Sequence, residues 1–119
     1  MKTILLVDDN DLNITILLNA LGTEYDMRVA LSAKEAFEAI EEELPDLMVL
    51  DIIMAEMSGL EVCKKLKSEK RTQHIPVVFM TAAHDILEDS AYEAGADDFI
   101  GKPFEAAILR SKIKRLIKD

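Results

Sequence analysis

Three short runs, Ile4-Leu5-Leu6-Val7, Leu47-Met48-Val49-Leu50 and Pro76-Val77-Val78-Phe79-Met80, are apolar from end to end, with no polar residue alternating. A strand with one face in water alternates, so a strand apolar throughout is covered on both faces, as in a parallel sheet flanked by helices. Between these runs lie amphipathic stretches of helical period, and the alternation continues along the chain. The pattern predicts strands over residues 3–7, 26–31, 46–50, 75–80 and 98–100. It predicts helices over residues 12–21, 33–43, 59–67, 86–94 and 105–117.

Five such βα units with right-handed crossovers imply a doubly wound, flavodoxin-like α/β fold: a five-stranded parallel sheet of order 2-1-3-4-5 with helices on both faces. At 119 residues, half of them hydrophobic, the chain reads as one domain over residues 1–119. Pro45, Pro76 and Pro103 all fall at element edges. A net charge of −9 repels phosphate backbones, so unaided nucleic-acid binding is not expected and cations are the better ligand class. The lone Cys63 lies one helical turn from Leu60 and Leu66 and reads as small core filler, and the scattered methionines read as packing. His74 and His84 are too far apart in sequence to suggest a local metal site. The apolar run after Met1-Lys2-Thr3 is too short for a signal peptide or membrane span, so no membrane association is expected and the cytoplasm is the expected compartment.

In this fold chemistry gathers at the carboxyl ends of the strands. The residues there are Asp8-Asp9 after the first strand, Asp51 after the third, Thr81-Ala82 after the fourth and Lys102-Pro103 after the fifth. Each has an ordinary alternative reading: Asp8, Asp9 or Asn10 could cap the next helix, Asp51 could be a turn residue, Thr81 a β-former and Lys102 a solvated side chain. Together they converge on one crevice. Three carboxylates at close range repel one another and call for a hard divalent ion with oxygen ligands, Mg²⁺ in particular. Such an ion beside a carboxylate, a hydroxyl and an ammonium suits phosphoryl transfer.

The segments Leu6-Val7-Asp8-Asp9-Asn10, Val49-Leu50-Asp51-Ile52-Ile53-Met54, Met57-Ser58-Gly59, Met80-Thr81-Ala82 and Ala94-Gly95-Ala96-Asp97-Asp98-Phe99-Ile100-Gly101-Lys102-Pro103-Phe104 resemble the receiver domain of two-component response regulators. The resemblance covers nearly the whole chain. It implies that Asp51 is the phosphoacceptor and that Asp9, Asp51 and the carbonyl of Ile53 ligate Mg²⁺, with Asp8 acting mainly through water. It implies that Lys102 contacts the phosphoryl group, with Thr81, followed by Ala82, supplying the switch hydroxyl and Phe99 the switch aromatic. It also implies a cis peptide at Lys102-Pro103. Where the family often has proline and aspartate, this chain has Ala55 and Ser58, and Ser58 is expected to cap the helix beginning near Gly59.

The partner implied is a sensor histidine kinase or histidine phosphotransferase. Docking is expected at Ile14 and Leu18, read as exposed because Asn13, Ile16, Leu17 and Ala20 form the stripe facing the sheet, and at Pro103. A homodimer through the fourth helix, fifth strand and fifth helix is suggested by charge. Residues 102–119 carry six basic and two acidic residues, whereas Glu88, Asp89, Glu93, Asp97 and Asp98 precede them. The chain is expected not to be an enzyme beyond assisting its own phosphorylation and dephosphorylation. Two other readings are a non-phosphorylated adaptor and a haloacid-dehalogenase-type phosphatase. The second needs Asp-x-Asp, and here Ile53 stands two places after Asp51.

Overall fold

The computed structural model describes residues 1–54, 56–81, 90–102 and 104–117. Strands β1 (Thr3–Val7), β2 (Asp26–Ala30), β3 (Leu47–Asp51), β4 (Val77–Thr81) and β5 (Asp98–Gly101) alternate with helices α1 (Asp11–Leu21), α2 (Ala33–Glu42), α3 (Gly59–Ser68), α4 (of which residues 90–93 are described) and α5 (Ala106–Leu116). The five strands form one sheet in the order β2-β1-β3-β4-β5, every pair parallel. This is the expected doubly wound topology. Every predicted element is present, although residues 86–89, Ala82 and Pro103 lie outside the described residues. β3 and β4 each run one residue further than expected, so that β3 ends on Asp51 and β4 on Thr81.

Side chains of successive strand residues point to opposite faces, and this period of two divides the core. Leu5, Val7, Met48, Leu50, Val77 and Phe79 pack on one face against Ala36 and Ile40 of α2 and Val62, Cys63 and Leu66 of α3. Ile4, Leu6, Leu47, Val49, Val78 and Met80 pack on the other against Leu17 of α1 and Leu109 and Ile113 of α5. Each fully buried side chain of this size contributes about 1.5–3 kcal/mol, so both layers anchor the strand ends firmly. Cys63 is wholly buried in the first layer, and that desolvation pushes its thiol up to about 11, consistent with packing and not with redox chemistry.

Helix α1 corrects the expected exposure of Ile14 and Leu18. Ile14 is only 7% exposed and Leu18 is half-buried against the core, whereas Ile16 is 44% and Leu12 67% exposed. The inward stripe is Ile14, Leu17, Leu18 and Leu21, four large apolar residues at the helical spacing. That set buries more apolar area than Asn13, Ile16, Leu17 and Ala20, and so it takes the core.

Candidate functional site

β1 and β3 lie side by side, but the chain leaves β1 toward β2 on one flank and leaves β3 toward β4 on the other. Their carboxyl ends therefore border a crevice that no connection crosses. Asp8 follows β1, its backbone N–H bonded to the Ala30 carbonyl at 3.1 Å, which fixes the turn out of the strand. Its Oδ1 accepts the Asn10 N–H at 3.0 Å, and the Asn10 side chain caps α1 by accepting the Asn13 N–H at 3.1 Å. Capping thus falls to Asn10. Asp8 turns its other oxygen toward the crevice, while the neighbouring Asp9 is exposed at its rim.

Asp51 is 8% exposed, and its Oδ1 accepts the N–H of Ile53 at 3.2 Å. Lys102, just past β5, places its Nζ 3.3 Å from Asp51 Oδ2 and 3.3 Å from Asp8 Oδ2. One ammonium thus bridges two buried carboxylates. Burial, and next the charge on Asp8, hold the Asp51 carboxyl above its ordinary range, while Lys102 and the Ile53 N–H oppose the rise. A carboxylate kept more basic in this way is a better nucleophile, and the lysine beside it is aimed at whatever anion that carboxylate attacks. Thr81 is the last residue of β4 and pairs in register with Gly101 of β5, which brings it to the same end of the sheet. Phe99, in β5 opposite Phe79, is half-buried against the core layer that contains Phe79.

Sequence reasoning overlooked Gly59. Its N–H bonds the Ile52 carbonyl at 2.8 Å, and a Cβ at this position would lie 2.1 Å from the Asp51 carbonyl oxygen. Only glycine lets α3 start this close to the end of β3. The signal was present in Met57-Ser58-Gly59, where glycine opens a helix that alanine would otherwise favour. Ser58 caps α3 as expected, its Oγ accepting the Leu60 N–H at 3.0 Å and donating to the Ile52 carbonyl at 3.3 Å.

The acidic approach to β5 is used within the chain, contrary to the charge argument for a dimer. Asp98 is buried and accepts from Lys112 at 3.0 Å and Arg115 at 2.5 Å, both on α5. Asp97 accepts from Lys67 at 3.1 Å and from the Val77 N–H at 2.8 Å. Carboxylates already paired at home have less to offer a partner's helix.

The sign of the Asp51 shift yields a test of stability. Because its folded carboxyl is more basic than the unfolded one, the folded state is penalised as pH rises from the ordinary carboxylate range, 3.8, through the raised value. Above that window Asp51→Asn is therefore expected to raise the urea midpoint, and the gain should vanish below it. Midpoints measured at about pH 7 and about pH 3 check this; a loss of stability at neutral pH contradicts the shift.

The structure is a doubly wound parallel sheet with buried strand-end aspartates bridged by a lysine, and residues 4–114 match the family described as the response regulator receiver domain. The chain belongs to that family, which places it in two-component phosphorelay signalling, a signalling role more than a catalytic one. Histidine kinase P4 of Formosa agariphila is 36% identical over 119 residues, covering 99% of this chain and 9% of the kinase. Response regulator PleD of Caulobacter vibrioides is also 36% identical over 119 residues, covering 97% of this chain and 26% of PleD. The solved signal receiver domain of a signal transduction histidine kinase from Syntrophus aciditrophicus has a TM-score of 0.91 at 34% identity, with 98% of this chain and 90% of that one covered. The chain thus spans 9% to 26% of the length of the two curated relatives. No helix among the described residues is long and apolar enough to cross a membrane.

Proposed function

We propose that Asp51 accepts a phosphoryl group from the phosphohistidine of a histidine kinase or histidine phosphotransferase, with Mg²⁺ as cofactor. The observation that carries this reading is the buried Asp51 carboxylate, held basic and within 3.3 Å of the Lys102 ammonium. In the transfer an Asp51 oxygen attacks phosphorus, the P–N bond to the imidazole breaks, and an acyl phosphate forms. Lys102 balances charge on the phosphoryl oxygens. Among the described residues no three acidic, imidazole or thiol side chains form a ready-made metal cage. The donors that line the crevice are nonetheless carboxylate oxygens, the chemistry a hard divalent ion prefers. Asp9, Asp51 and the Ile53 carbonyl would hold Mg²⁺, with Asp8 acting through water, and the ion would neutralise charge on the transferred group.

The new acceptor oxygens on Asp51 would draw the Thr81 hydroxyl inward and let Phe99 turn further into the core, altering the α4-β5-α5 surface. Phosphoramidate with Mg²⁺ tests the reading. Intact mass should show one stable phosphoryl group on the wild type and none on Asp51→Asn; phosphate turnover without a stable adduct would favour a phosphatase, and no reaction an adaptor.

Partner docking on α1 fits Leu12 and Ile16 in place of Ile14 and Leu18, because only the first pair presents exposed apolar surface. Support for a homodimer through α4, β5 and α5 now rests on exposed Tyr92 and Ile108 more than on charge. Ile53 is 61% exposed beside the phosphoacceptor and has no polar group to orient an attacking water. Ile53→Asn is therefore expected to release phosphate severalfold faster in a timed assay; an unchanged rate contradicts that role.

A further inference from the structure

The loop that leaves β3 is pinned at both ends to one backbone group: the Ile52 carbonyl accepts the Gly59 N–H at 2.8 Å and the Ser58 hydroxyl at 3.3 Å. Between these anchors Ile53 and Glu56 are exposed, whereas Met54 and Met57 are half-buried and pack against the core layer of α2 and α3. Among the described residues between the anchors, these two thioethers are therefore the apolar hold of the loop on the core. The same two side chains line a cavity of about 210 Å³ beside Asp9 and Leu31. Such a space admits hydrogen peroxide, which is little larger than water. By contrast, Met48 and Met80 are fully buried in β3 and β4, and the single thiol of the chain, Cys63, is fully buried as well.

We infer that Met54 and Met57 form a peroxide-sensitive modification site, whose oxidation to methionine sulfoxide frees the loop from the core and moves Ile53 away from Asp51. A sulfur lone pair attacks one peroxide oxygen, and an S–O bond forms as the O–O bond breaks. The proton left on the transferred oxygen passes to the departing hydroxide, giving sulfoxide and water. The sulfur loses two electrons and the peroxide gains them. A polar group then stands where an apolar one packed. Held against the core its oxygen lacks a hydrogen-bond partner, so the side chain turns out into the cavity to be hydrated, and the loop loses its hold. Ile53 is the neighbour of Met54, and its N–H bonds Asp51 Oδ1 at 3.2 Å, so a displaced loop reaches the Asp51 carboxylate directly. The consequence for phosphoryl transfer rests on the proposed role of Asp51, but the oxidation and the loosening of the loop stand apart from it.

Dilute hydrogen peroxide applied to the intact chain tests this, with peptide masses locating each sulfoxide and amide hydrogen exchange reporting on the Ile53 N–H. Met54 and Met57 are expected to gain one oxygen each well before Met48 and Met80, and the Ile53 N–H then to exchange roughly tenfold faster. The same sample should react with phosphoramidate roughly tenfold more slowly, and methionine sulfoxide reductases should restore the rate. The double variant Met54→Leu/Met57→Leu, close in volume, should keep the untreated rate and lose the response to peroxide. Three results overturn the inference: Met48 or Met80 oxidised ahead of Met54 and Met57, unchanged Ile53 exchange or phosphoramidate rate in the doubly oxidised chain, or an equal peroxide response in the leucine variant. An untreated wild type that takes no phosphoryl group refutes the proposed transfer instead, and the sulfoxide map with the Ile53 exchange then decides the modification site.

Discussion

Lys102→Ala is expected to lower stability by about 3 kcal/mol in metal-free buffer at neutral pH, roughly 10 °C in melting temperature for a domain of this size. The lysine is the shared partner of two carboxylates that are nearly out of water, with Nζ at 3.3 Å from each. Its removal leaves Asp8 and Asp51 facing each other with no compensating charge, and an uncompensated buried charge costs more than the intact pair contributes. The chain can relieve that repulsion by protonating Asp51, whose carboxyl is already raised by burial and by Asp8. The loss should therefore shrink as pH falls, and that pH dependence separates an electrostatic cause from mere loss of packing. If the proposed Mg²⁺ binding holds, millimolar Mg²⁺ should restore more stability to the variant than it adds to the wild type. A Lys102→Ala midpoint equal to that of the wild type at neutral pH would show that the bridge has no energetic role.

Gly59→Ala is expected to cost about 3 kcal/mol, at the upper end of overpacking effects, and to slow modification of Asp51 as well. In an ordinary helix the same change gains up to about 1 kcal/mol, so even the sign is informative. Here the new methyl would meet the Asp51 carbonyl oxygen at 2.1 Å, the Asp51 carbonyl carbon at 2.9 Å and the Ile52 Cα at 3.0 Å. All three are backbone atoms at the end of β3. No side-chain rotation clears them, so either α3 retreats or Asp51 shifts. Denaturant unfolding measures the first consequence and the rate of reaction with phosphoramidate the second. An alanine variant as stable and as reactive as the wild type contradicts the close approach.

The sheet was legible because its interior strands are unbroken apolar runs, and the crevice was legible because the fold sends every strand end to one place. Two features were hidden for physical reasons. Helix α1 carries Leu12, Ile14, Ile16, Leu17, Leu18 and Leu21, so apolar residues fall all around it and a wheel does not single out one face. The acids Asp97 and Asp98 read as free surface charge because their partners are distant in sequence: Lys67 lies 30 residues away, Lys112 14 and Arg115 17. Such pairs exist only once the fold has assembled. Gly59 stood in plain view, yet what it approaches, the Asp51 carbonyl, depends on where β3 ends. The one-residue extension of β3 decides that, and element ends are where periodicity is least informative.

The most direct test is to locate the acyl phosphate. Protein treated with phosphoramidate and Mg²⁺ is reduced with borohydride, which converts an aspartyl phosphate to homoserine, and the product is mapped by peptide mass spectrometry. Homoserine at position 51 alone is the expected result. Homoserine at Asp8 or Asp9, or a borohydride-resistant phosphate on Thr81, would contradict Asp51 as the acceptor.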